Sequence, residues 1–344
     1  MRKILSLLLI LIVITSTVAY AQPAPTPVPT QDSAQKKANE SGKAYLEIID
    51  YPAYIFTTLN GHFYGVQIRY DDREQYYYAV LMEDDKDIYE FHEDYNPSSI
   101  AQLKGSLYLS LGNTIYKFEN GKPKEFAKLP GIIGEMGTTG EYLYASCVVG
   151  RYGVSNYHSK DFYIISTDGS IYEYPGGEHL TYWCYTGFSV NKDLDRLACL
   201  SSDIAGVVIR RDTGKVEMQR TGEWWDFPDE DYRVYHVLYY NNCLLANAKG
   251  SLVYYDEDNQ RQVLLGDMKG TWIYFESFRC QPGNSAPIKT GLGEEVRLGY
   301  VAWWTIGDDG YIYGRTMESW DKYHSFRLAI PDSVKEVVTY KKQR

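Results

Sequence analysis

The chain has 344 residues, with 35 Lys and Arg against 45 Asp and Glu, a formal net charge of −10 at pH 7. That charge repels a phosphate backbone and no basic cluster offsets it, which excludes a nucleic-acid partner. Apolar residues make up 44%, enough for a large core, so global disorder is excluded as well.

In chain order, residues 1–21 read as a signal peptide. Arg2 and Lys3 give a short positive start, Ile4 to Ile14 is almost unbroken aliphatic, and Ala19-Tyr20-Ala21 is a small-x-small cleavage pattern. The expected location is secreted or cell-surface attached, with membrane contact only if this segment stays uncleaved. Residues 22–43 read as a linker. Pro23, Pro25, Pro27 and Pro29 favour a stiff polyproline stretch, and the polar run from Gln31 to Lys43 shows no apolar face.

From residue 44 to 344 the pattern is β throughout: short aromatic and β-branched runs recur between Gly, Asp and Asn turns. Tyrosine is in excess, with 34 copies, about one residue in ten. One run repeats. It reads Ile88-Tyr89-Glu90-Phe91, then Ile115-Tyr116-Lys117-Phe118, then Ile171-Tyr172-Glu173-Tyr174. Weaker copies stand at Val207-Val208-Ile209 and Leu252-Val253-Tyr254-Tyr255, and a clear one at Ile312-Tyr313. Their mean spacing is about 45 residues, the period of a four-stranded propeller blade. Asp168-Gly169, Lys249-Gly250 and Asp309-Gly310 supply a turn before the run, and Asn120-Gly121 and Gly176-Gly177 one after it. Another strand lies upstream, as in Leu107–Ser110, Leu143–Ser146 and Arg196–Cys199.

The expected fold is therefore an all-β β-propeller of six four-stranded blades, with five or seven left open by the uneven spacing. Pairing of the N- and C-terminal strands, Ala44–Ile49 and Val334–Tyr340, is expected to close it and remove its open edges. A pair of β-sandwiches is the rival, and the absence of a mid-chain linker argues against it. The run from Gly187 to Leu197 resembles the opening of a blade in the YVTN family of secreted propellers. Asp309-Gly310-Tyr311-Ile312-Tyr313 and Gly105-Ser106-Leu107-Tyr108 resemble strands of PQQ-like repeats. The resemblance implies a fold and no activity.

Motifs of chemistry are sparse. There is no Gly-x-Ser-x-Gly elbow, phosphate loop, HExxH or dinucleotide fingerprint, so no catalytic residue, metal or cofactor is expected. Five cysteines without a CxxC pair read as buried small hydrophobes, with Cys147, Cys199 and Cys243 inside strand-like runs. Two insertions break the repeat, Gly150–Lys160 with Tyr152 and His158, and Arg279–Arg297. The sharpest cluster is Glu223-Trp224-Trp225-Asp226, on a loop between blades, where an indole beside a carboxylate suits a sugar. Trp303-Trp304 with Asp308 and Asp309 forms a similar pair, its tryptophans reading as core.

Trp224, Trp225, Asp226, Tyr152, His158, Asp308 and Asp309 are thus the candidate ligand-binding residues. The expected function is a non-catalytic binding module for an extracellular glycan or protein. The alternatives are a carbohydrate-active propeller enzyme, with Asp226 and Asp308 as its acids, and a structural subunit of a surface layer or filament.

Overall fold

The computed structural model describes residues 31–42, 44–49, 51–91, 96–149, 159–175, 188–201, 204–210, 216–218, 234–240, 242–248, 251–256, 261–267, 288–289, 295–296, 300–319 and 322–332. The first element is a helix, α1 (Gln31–Ser41), in the stretch expected as linker. Its polar sequence contains two alanines one turn apart, Ala34 and Ala38, and both are fully buried in the first core cluster. The helix is anchored to the chain beyond the last strand. Gln35 Nε2 donates to the Ile330 carbonyl at 2.9 Å, and Asn39 Nδ2 to Asp332 at 2.7 Å. The stretch expected as linker up to residue 43 thus includes a helix packed on the domain, since a two-alanine stripe is too narrow to register as an apolar face.

β1 (Tyr45–Ile49) comes next, followed by five four-stranded antiparallel meanders. The first is β2 (Ile55–Leu59), β3 (His62–Asp71), β4 (Tyr76–Glu83) and β5 (Lys86–Phe91). The second is β6 (Ser99–Leu103), β7 (Ser106–Leu111), β8 (Thr114–Glu119) and β9 (Lys122–Lys128). The third is β10 (Ile132–Thr138), β11 (Leu143–Val149), β12 (Ser159–Ile165) and β13 (Ile171–Glu173). The fourth is β14 (Phe188–Val190), β15 (Arg196–Ser201), β16 (Ile204–Arg210) and β17 (Val216–Met218). The fifth is β18 (Val234–Tyr240), β19 (Cys243–Ala248), β20 (Ser251–Asp256) and β21 (Arg261–Asp267). A two-stranded pair, β22 (Ile288–Lys289) and β23 (Glu295–Val296), precedes the last sheet of β24 (Tyr300–Ile306), β25 (Ile312–Ser319) and β26 (Lys322–Ala329). That sheet gains its fourth strand from the other end of the chain, because β1 lies antiparallel to β26 from Tyr45↔Ala329 to Ile49↔Ser325.

Successive four-stranded meanders, with the first strands of neighbouring sheets packed together, are the architecture of a β-propeller rather than of paired sandwiches. The partner of β1 is Lys322–Ala329; Val334–Tyr340, expected in that role, lies outside the described residues. Turn chemistry explains the tightest hairpins. Asn60-Gly61 and Asn120-Gly121 both hold two successive left-handed residues, which a two-residue turn between twisted strands requires.

The inner strands β2, β7 and β11 bury both faces, so the cores run between sheets and alternation is weak there. The first cluster joins β2–β4 to Leu107, Leu109 and Leu111 on one side, and to Trp303, Tyr313 and Ala329 on the other. Both Trp303 and Trp304 are buried, as the sequence leads one to expect. An aromatic ring lies over its cross-strand glycine in two sheets, at Tyr144↔Gly137 and Phe326↔Gly314, and a Cβ at either glycine would collide with that ring. At Gly65 a Cβ would instead meet Ala53 and the Tyr51 ring. Cys147 and Cys199 are buried, and desolvation pushes the Cys147 thiol up to about 12, far from a reactive thiolate.

Candidate interaction surface

Of the seven residues nominated from the sequence, Asp308 and Asp309 fall within the described part. Trp224, Trp225, Asp226, Tyr152 and His158 lie outside the described residues. Asp308 and Asp309 sit in the turn joining β24 to β25, and their oxygens are engaged. Asp308 Oδ2 accepts the Asn60 backbone N–H at 2.5 Å. Asp309 Oδ1 accepts the Thr58 hydroxyl at 3.3 Å and the Tyr311 N–H at 3.1 Å, while its Oδ2 accepts the Tyr313 hydroxyl at 2.6 Å. Burial, then the charge of Asp309, holds the Tyr313 phenol far above its usual range. The two carboxylates thus fasten the last sheet to β2 and the turn after it.

Similar side-chain bonds recur along the series. The Tyr54 hydroxyl donates to the Pro97 carbonyl, tying the first sheet to the second. Ser99 Oγ accepts the Met136 N–H at 3.1 Å, and Glu135 accepts the Phe188 N–H at 3.3 Å. Ser189 Oγ lies 3.1 Å from the Tyr144 hydroxyl and accepts the Tyr239 N–H at 2.9 Å. The Tyr240 hydroxyl donates to the Gly310 carbonyl at 2.8 Å, and burial pushes its pKa up to about 12. Within the last sheet, Arg327 is 1% exposed, donates to Glu47 at 2.6 Å and lies 5.0 Å from the Tyr311 ring centroid. Neutral phenols and a paired guanidinium here serve cohesion between strands and sheets.

Exposed aromatic surface is concentrated elsewhere. β3 and β4 run past their neighbours: pairing with β2 ends at Ile55↔Val66, whereas β3 and β4 stay paired to Asp71↔Tyr76. The overhang is a two-stranded ribbon among the described residues. It carries Tyr70, Tyr76 and Tyr77 at 47%, 41% and 69% exposure. Tyr70 and Tyr77 are cross-strand partners whose rings sit 4.8 Å apart at 52°, and on the opposite face the Tyr76 and Tyr78 rings are 6.0 Å apart. The sequence marks the Tyr76-Tyr77-Tyr78 triplet as a strand with one face open to solvent; the exposure of tyrosines on both faces of a ribbon tip depends on where the neighbouring strands stop.

The electrostatics of the ribbon are one-sided. Asp72 and Glu74 are exposed in its turn, and Asp71 caps that turn by accepting the Arg73 and Glu74 N–H groups. Partial desolvation and then the charges of Asp71, Glu90 and Glu74 raise the Tyr76 pKa. Both terminal guanidinium nitrogens of Arg69 donate to Asp87, at 2.6 Å each. Arg73 is the remaining cation of the ribbon. No group of three or more His, Cys, Asp or Glu suited to hold a metal occurs among the described residues.

No protein-family model matches the sequence, and no curated protein does either. Among solved structures, the chain is similar to one from "COPII on membranes, outer coat vertex", at 8% identity over 81% of this chain and 83% of that one, with a TM-score of 0.50. It is similar to "Crystal structure of WD40 beta propeller domain of Doa1" at 9% identity over 82% and 96%, with a TM-score of 0.43. A chain of "Crystal Structure of Mitotic Checkpoint Complex" gives 14% identity over 92% and 99%, with a TM-score of 0.45. At these identities the likeness concerns the fold alone, and the propeller assignment itself rests on the succession of four-stranded sheets.

Proposed function

We propose that the chain is an exported, non-catalytic propeller that binds a partner protein, with six blades closed into a ring. Closure is supported by the pairing of β1 with β26 and by the bonds from Asp308 and Asp309 to Asn60 and Thr58. The contacts of β24 with both β18 and β2 support it as well. On this reading β22 and β23 belong to an insertion between the fifth and sixth blades, and the blades are of the YVTN and PQQ-like kind. Residues 1–21 direct export.

One observation carries the binding reading: the Asp308–Asp309 pair is engaged between sheets, while tyrosines are displayed on a ribbon that overhangs its sheet. Tyrosine supplies stiff, amphipathic contact area at small entropic cost, and a propeller holds such area on a rigid disc. The glycan reading rests on Trp224, Trp225 and Asp226, and on Tyr152 and His158 of the Gly150–Lys160 insertion.

The test is a binding screen of the purified full chain against polysaccharides and isolated extracellular proteins, with every bound species weighed before and after. Saturable binding of a protein, with all polysaccharides unchanged in mass, is the expected result. Shortened polysaccharide would replace the binding reading with the hydrolase or lyase one. Retention of intact polysaccharide, lost in Trp224→Ala or Trp225→Ala, would move the ligand class to glycan.

A further inference from the structure

This inference rests on the protein-binding reading above and names the surface and the chemistry of its partner. Beyond Val66, the β3 edge from Gln67 to Asp71 has β4 as its one described strand partner. The backbone groups on its other side are therefore set to accept a further strand. Soluble proteins guard such edges with lysine; this ribbon instead shows tyrosine on both faces and carboxylates around them.

The charge selects the occupant. Among the described residues, Asp71, Asp72, Glu74 and Glu90 lie around the tip with Arg73 as the cation on the ribbon's turn, since Arg69 and Asp87 neutralise each other. A second copy of the chain, with a net charge of −10 and the same acidic tip, is repelled. Tyr70 and Tyr77, tilted at 52° to one another, stand exposed beside these carboxylates. A lysine or arginine side chain suits both features, because its stem packs on a tyrosine ring and its cation is drawn to ring and carboxylate together.

We infer that the β3–β4 ribbon docks an extended, basic segment of a partner polypeptide. The segment adds as a strand beside Gln67–Asp71, and its Lys or Arg side chains lie over Tyr70 and Tyr77 or Tyr76 and Tyr78, within the field of Asp71, Asp72, Glu74 and Glu90.

The probe is a fluorescent peptide alternating lysine with threonine, followed by anisotropy with the full chain at low and physiological salt. Controls are the same peptide with glutamate for lysine and a version N-methylated on alternate residues, which cannot join a sheet. Binding of the lysine peptide alone is expected, weakening with salt. Tyr76→Ala with Tyr77→Ala should raise Kd by about tenfold, and Asp72→Lys with Glu74→Lys should abolish binding. Tyr77→Phe should leave it unchanged. All the substituted side chains are exposed, and an unchanged melting temperature confirms that each variant is folded.

Equal binding of the N-methylated peptide would overturn strand addition, and equal binding of the glutamate peptide would overturn charge selection. Competition by a neutral oligosaccharide, or a ribbon-dependent dimer on sedimentation, would give the surface to another occupant. No binding of the lysine peptide would sink this inference. If the chain then still held an extracellular protein, the binding reading would survive with its surface elsewhere.

Discussion

At the scale of residues, the most consequential side chains are the polar ones that cross between strands and sheets. Arg327 is buried, and Glu47 answers its charge from the opposite end of the chain. Removing one partner leaves a charge without its counter-ion, which costs far more than removing both. Glu47→Ala should therefore lower unfolding stability by about 3 kcal/mol, the low end of the buried-pair range because Glu47 is partly open to water. The double change Glu47→Leu with Arg327→Met should recover most of that loss; urea denaturation of the two variants measures it. Asp309→Ala strands the buried Tyr313 hydroxyl and the Thr58 hydroxyl, for an expected loss of about 3 kcal/mol. Asp309→Asn, which keeps an acceptor oxygen, should lose less in the same experiment.

A third residue reports on pH. His62 Nδ1 lies 2.8 Å from Asp84, and that bond raises its pKa above the ordinary 6.5. A raised folded-state pKa stabilises fully below the unfolded value and ceases to do so as pH rises through the folded one. His62→Ala should accordingly melt lower than the native chain in mild acid, and the two curves should converge in alkali. A gap that widens toward alkaline pH would contradict the assignment.

At the scale of elements, the Ile-Tyr run was a sound marker of sheets and a poor marker of position within them. Its copies fall on β5, β8, β13, β16, β20 and β25, one in each four-stranded sheet but on second, third or fourth strands. Aromatic and β-branched residues fill buried strands and exposed outer ones alike, as the exposed Ile171 and Tyr172 of β13 show, so composition cannot rank them. The mean spacing of the copies was therefore informative while the individual spacings were not. First strands begin at Ser99 and Ile132 in one case and at Val234 and Tyr300 in another. Glycine, by contrast, had a local role hidden until the registers were known. Gly314 faces Phe326 across β25 and β26, and Gly314→Ala should force that ring aside at a cost of about 1–3 kcal/mol. Calorimetry checks it, with Phe326→Leu in the same background as the relieving change.

At the scale of the molecule, the two ends of the described chain meet. α1 lies on β1 and β26, and β1 completes the last sheet. A chain lacking residues 1–49 should lose its cooperative transition and self-associate through the bared β26 edge, seen as a broadened melt and higher mass in light scattering. A monomer with an unchanged melt would show that β1 is dispensable.

The amino-acid sequence by itself determined the class of the fold. Repeated aromatic strands between glycine turns, with no amphipathic helix, leave stacked four-stranded sheets as the way to bury so many two-faced strands. It also determined the acidic character that disfavours nucleic acid. Only the tertiary structure decided which distant groups Asp308 and Asp309 bond. Asp308 and Asp309 looked like ligand contacts because carboxylates beside paired tryptophans fit a sugar, and their partners Asn60 and Thr58 lie some 250 residues earlier in the chain. The same dependence on distant neighbours hid the buried alanines of α1 and the exposure of Tyr70, Tyr76 and Tyr77. Burial is a property of which strands stop where, and sequence spacing carries no record of that.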